Sequence, residues 1–145
     1  MITGIDNVQK NFALLADKYG QAVADALVVS GQMVRTTAVK SIQSTSSGET
    51  VTRYRSGGGS YTHVTSAPNT APNTDTGRLA NSVAVEVQRA DVYVGSGVSY
   101  APHLEFGTTK MIQRPWLNPA LEQNRRRINK LISDAVKKTT NKGVR

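Results

Sequence analysis

SVAVEVQRADVYVGSG, residues 82–97, carries the clearest secondary-structure signal in the chain. Val83, Val85 and Val87 alternate with Ala84, Glu86 and Gln88, and Val92 and Val94 flank Tyr93. Period-two alternation of β-branched residues marks a half-buried strand. Arg89-Ala90-Asp91 supplies a tight connection, so the stretch predicts a β-hairpin over 83–95. Helices on either side then define the class. The expected fold is α+β, with N-terminal and C-terminal helices packed on a small antiparallel sheet centred on this hairpin.

The C-terminal helix is the stronger of the two. At 100° per residue, Leu117, Leu121, Ile128, Leu131, Ile132, Ala135 and Val136 fall within an arc of roughly 140°. Arg126, Lys130 and Lys137 fall opposite. Asn118 suits an N-cap, and Pro119 suits the first helical position because its missing N–H costs nothing there. The spacing predicts an amphipathic helix over 118–139, with Gly143 as the latest plausible end and a basic tail over 140–145. Residues 1–43 also read as helical. Val8, Phe12, Leu15, Tyr19, Val23, Ala26 and Leu27 recur at three and four, and the stripe continues through Ser30, Val34 and Ala38 to Ile42. Gly20 and Gly31 each cost about 1 kcal/mol of helix propensity against Ala. One long helix and two helices broken near Gly20 both fit.

Residues 44–75 change character, with three consecutive glycines, two prolines and many Ser and Thr. TVTRYR and YTHVTS both alternate, and SGGGS between them can close a hairpin. Val51, Arg53 and Arg55 share one face, Thr52 and Tyr54 the other. Neither face is continuously apolar, so the monomer is expected to hold this hairpin poorly. The stretch reads as an exposed Gly/Ser-rich arm that orders against a partner, with a permanently disordered loop as the alternative. Beyond it, Asp75 or Thr76 can cap a short helical turn over 77–82. SYAPHLEFGTTKMIQRPWLNPAL, residues 99–121, then concentrates rare residues, among them Tyr100, His103, Phe106 and the only Trp, Trp116. It reads as a connection that either completes the core or anchors an interface.

Composition sets the limits. With 145 residues the chain has the size of a single domain, 1–145, and 38% apolar and 6% aromatic residues supply one modest core. No apolar run reaches the roughly 18 residues of a membrane span. MITGIDNVQKNF lacks the basic start and apolar stretch of a signal peptide, so a cytoplasmic origin is expected. Cysteine is absent, which removes disulfides and thiolate chemistry. His63 and His103 lie forty positions apart without metal-ligand spacing or a nucleophile turn, and no cofactor motif is present. Gly57-Gly58-Gly59 lacks the Lys and helix of a phosphate loop. An enzyme using Asp75, His103 and Glu105 is the weakest reading.

Three short motifs in fixed order carry a resemblance. They are Asp75-Thr76-Gly77-Arg78-Leu79 with Ser82; Tyr100-Ala101 with Glu105-Phe106-Gly107-Thr108; and Arg114-Pro115-Trp116-Leu117 with Pro119-Ala120. With a hairpin between the first two, the chain resembles the gene-product-ten-like family of tail-completion, or head–tail joining, proteins of long-tailed phages. Trp116 stands where that family more often has Phe. The resemblance implies a non-enzymatic neck or connector subunit in the virion, assembled in the host cytoplasm. It implies a homo-oligomeric, hexameric ring at the head-proximal end of the tail. Its partners would be a tail-terminator or tail-tube protein on one side and a head-connector or head-completion protein on the other. Tyr54, Arg55, Tyr61, Tyr100, Glu105, Phe106, Arg114 and Trp116 are the expected interface residues, with an Arg114–Glu105 contact within or between subunits.

The net charge of +8 is uneven, since Glu122 to Arg145 holds eight Lys or Arg against two acids. Arg126, Lys130 and Lys137 form the expected basic face toward DNA in a ring lumen or toward an acidic neighbour. A small basic protein binding nucleic acid non-specifically through the C-terminal helix is the alternative function. No aromatic residues interleave with these cations as in single-strand binders.

Overall fold

The computed structural model describes residues 5–44, 46–88 and 91–142. It is a mixed α+β fold of four helices and two antiparallel two-stranded sheets. In chain order these are α1 (Ile5–Gln43), β1 (Thr50–Tyr54), β2 (Ser60–Val64), α2 (Arg78–Ser82), β3 (Val83–Gln88), β4 (Asp91–Ser96), α3 (Ala101–Phe106) and α4 (Asn118–Lys142).

The N-terminal region is one uninterrupted helix, without a break at Gly20. Its predicted stripe is buried at Ala26, Ser30, Val34, Ala38 and Ile42, a strict i+4 ladder. The side chains of Val8, Phe12 and Leu15 lie outside the described residues. Packing overrides the Gly20 penalty, because helices in proteins draw most of their stability from a buried face. α4 begins at Asn118 as predicted and runs three residues beyond 139, to Lys142. Gly143 and the rest of the basic tail lie outside the described residues.

α1 and α4 lie antiparallel. The Tyr19 hydroxyl meets Thr140 Oγ1 at 2.8 Å near one end, and Asn124 Nδ2 donates to Thr37 Oγ1 at 2.9 Å near the other. Asn124 is buried and also donates to the Ala120 carbonyl, so its amide is satisfied inside the seam.

The β3–β4 hairpin pairs Val85 with Val94 and Val87 with Val92, which puts its valines on one face toward α1. Arg89 and Ala90 of the expected turn lie outside the described residues. Gly31 permits the contact: a Cβ there would stand 2.6 Å from Val92 Cγ1 and 2.9 Å from Val85 Cγ1. What reads in sequence as a helix-weakening residue is the point of closest approach between helix and hairpin. Arg35 Nε donates to the Val83 carbonyl at 2.8 Å and fixes the start of β3.

The core gathers Val34, Ala38 and Ile42 of α1 with Leu79 and Ala80 of α2, Val83, Val98, Ala101, Trp116 and Ala120. Four of these are alanines, which matches a composition lean in large apolar side chains. The β1–β2 hairpin forms its own sheet and does not extend β3–β4.

Candidate functional site

The three motif stretches converge on the junction between the core and the β1–β2 arm. The arm closes as the SGGGS turn predicts: Arg55 N–H donates to the Gly59 carbonyl at 3.0 Å, and Gly58 and Gly59 take positive φ values of 91° and 85°. Strand pairing places Val51 opposite His63 and Arg53 opposite Tyr61. That face turns toward Asp75, whose carboxylate accepts from Arg53 and, at 2.8 Å, from the Tyr61 hydroxyl. His63 Nδ1 lies 3.8 Å from the same carboxylate. At the arm's base, Asn73 Oδ1 accepts from the Ser46 N–H at 2.8 Å, and Nδ2 donates to the Ser46 and Val64 carbonyls, each at 2.9 Å. The monomer therefore holds the arm itself, contrary to the expectation that it would hold this hairpin poorly. Polar clamps do the work that an apolar face would otherwise do.

Asp75 does not cap α2. The position before that helix is Gly77, in the left-handed region, with no side-chain cap. Asp75 binds the arm instead, and that bond raises the Tyr61 phenol above its ordinary pKa, with burial and the Asp75 charge adding to it. The phenol is a donor to a carboxylate, so its contribution is full below the ordinary tyrosine range and is lost as pH rises through the raised value. Asp75→Asn is expected to weaken arm docking by about 1 kcal/mol, a modest figure because Arg53 is half-exposed. Amide exchange in β1 and β2 should quicken about fivefold while α1 and α4 are unchanged. The late tyrosine titration should also move back toward 10. Unaltered exchange in the arm would contradict the clamp.

The Glu-Phe-Gly motif ends a helix, α3, within the stretch whose sequence reads as a connection. α3 has Pro102 in its first turn and stops at Gly107, with φ 76° and ψ −178°. Those dihedrals are essentially open to glycine alone, and a Cβ there would meet the Met111 carbonyl oxygen at 2.8 Å. Glu105 is buried, and its carboxylate accepts three backbone N–H groups: Trp116 at 2.8 Å, Leu117 at 2.9 Å and Asn118 at 2.9 Å. It thereby satisfies the orphan donors at the start of α4, the role expected of Asn118.

Two expected interface residues are therefore internal. Glu105 is committed to its own chain, and Trp116 is 3% exposed in the core. The expected Arg114–Glu105 contact is replaced as well. Arg114 Nε and Nη2 donate to the Ser66 carbonyl at 3.2 and 3.1 Å, tying the last motif to the arm's base. Of the remaining residues, Tyr54 is 82% exposed on the outward face of the arm and Phe106 is 78% exposed. Arg55 lies over the Tyr61 ring, 5.4 Å from its centroid. Tyr100 precedes α3 at the surface, and Arg126, Lys130 and Lys137 are exposed along α4.

Successive residues of α3 and the following loop serve two cavities. Leu104 and Arg114 line a cleft of about 750 Å³ beside the arm, and Phe106, Gln113 and Pro115 line an apolar groove of about 590 Å³ between α1, β4 and the start of α4. Both histidines border the cleft, although the sequence separates them by forty residues. Asp75 and His103 share it too, whereas Glu105 borders the groove with its carboxylate engaged by α4. The grouping of Asp75, His103 and Glu105 is thus not assembled. Among the described residues no helix is long and apolar enough to cross a membrane. No protein-family model, curated protein or solved structure matches this chain.

Proposed function

We propose that this chain is a structural virion subunit of a long-tailed phage, a tail-completion or head–tail joining protein. It forms a homo-oligomeric ring, hexameric by the resemblance, at the head-proximal end of the tail and performs no catalysis. The observation that carries this reading is the pair of unlike exposed surfaces on opposite sides of the 104–115 segment: the arm with Tyr54 and the apolar groove with Phe106. A closed ring needs such a pair, since each copy must offer one patch to the copy before it and another to the copy after it. The motif residues support the reading by the work they do. Asp75, Glu105 and Arg114 fix the arm and the groove relative to one core. A tail-terminator or tail-tube protein and a head-connector or head-completion protein would stack on the two ring faces.

Phe106→Asp separates assembly from folding. Exposed side chains tolerate substitution within about 0.5 kcal/mol, so the variant should keep its melting temperature. It should nonetheless fail to enter virions when supplied to a phage lacking the gene. Normal incorporation would remove the groove from the interface. The stripe of Arg126, Lys130 and Lys137 supports a second contact, with DNA phosphates in the lumen, which would weaken steeply with salt.

A further inference from the structure

We propose that the cleft between α2, α3 and the inner face of the arm is a binding site for an acidic peptide segment of a partner protein. It does not rest on ring formation. The folded chain gathers Arg53, Arg78, Arg114, His63 and His103 around the cleft, and among the described residues Asp75 is the only carboxylate lining it. Asp75 is already engaged by Arg53 and Tyr61. That leaves two guanidinium groups without an anionic partner among the described residues. Arg78 is exposed and makes no side-chain hydrogen bond or ion pair there, and Arg114 binds only the neutral Ser66 carbonyl. Two uncompensated forks facing one cavity form a field that draws an anion.

The shape and floor of the cavity select the kind of anion. Ile42, Leu79, Leu104 and Met111 also line it, so cationic groups stand over an apolar floor. A peptide with acidic and aliphatic side chains satisfies both parts, its carboxylates accepting bidentate arginine bonds and its methylenes covering the floor. A phosphate backbone offers nothing to the floor, and the rounded surface of a duplex does not enter a concave cleft. The volume of about 750 Å³ suits a few side chains.

The test is calorimetric titration of the full chain with a ten-residue peptide of alternating Glu and Leu, its Gln-for-Glu counterpart, and a short DNA duplex. One-to-one binding of the Glu peptide is expected, with none for the Gln peptide. Arg78→Gln should weaken binding about tenfold, the loss of one charge-assisted contact. Lys18→Gln removes a positive charge at an exposed position of α1, away from the cleft, and should leave binding unchanged. Should Arg78→Gln lose the native circular dichroism, His103→Gln, at an exposed position, takes its place with a smaller expected loss. No peptide binding, equal weakening by the Arg78 and Lys18 changes, or Arg78-dependent preference for the duplex would each overturn the proposal.

Discussion

Glu105→Ala is expected to lower stability by about 3–5 kcal/mol, the largest effect of any single polar substitution here. Its carboxylate accepts the N–H groups of Trp116, Leu117 and Asn118, all at 2.8–2.9 Å. Removing a buried anion leaves three donors unpaired at a helix start, and each buried orphan costs about 1–3 kcal/mol, with partial relief from water. The loss approaches the whole stability of a marginal domain, about 5–15 kcal/mol. Glu105→Gln should cost less, because its oxygen still accepts while its NH2 opposes the remaining donor. A double-mutant cycle of Glu105→Gln with Arg114→Ala should give coupling below about 0.5 kcal/mol, as for sites without a shared partner. Urea unfolding supplies all these values. Coupling above 1 kcal/mol would restore the Arg114–Glu105 contact that the geometry replaces.

Trp116→Ala is expected to cost about 3–5 kcal/mol, the usual range for emptying a large aromatic site in a core. Trp116→Phe should behave very differently. The indole Nε1 is buried with no hydrogen-bond partner, and an unpaired buried donor costs about 1–3 kcal/mol. Phe removes that donor while giving up part of the indole's packing, so the two terms nearly cancel. The melting temperature of Trp116→Phe should lie within a few degrees of the parent. A loss as large as that of Ala would mean that the indole N–H is satisfied. If Trp116 were an interface anchor instead of a core residue, neither substitution would change the stability of the isolated monomer.

What was legible in the sequence was local. The valine alternation around 83–95 and the apolar stripe of α4 need only neighbours two to four residues away, and both elements form where expected. SGGGS closed the arm for the same reason. The continuity of α1 through Gly20 was not legible, because tertiary burial outweighs a local penalty of about 1 kcal/mol. α3 is too short for periodicity, although Pro102 and Gly107 are recognisable start and stop signals. The site was less legible still. Glu105 acts on a helix that begins thirteen residues later, and Arg114 reaches back to Ser66. Asp75 and Asn73 hold strands that precede them. No spacing rule announces such partners; they exist only once the chain has folded.

Electron microscopy of a lysate from a phage lacking this gene tests the proposed joining role most directly. Filled heads beside separate tails of finished length are the predicted result. Intact particles with heads and tails joined would contradict it.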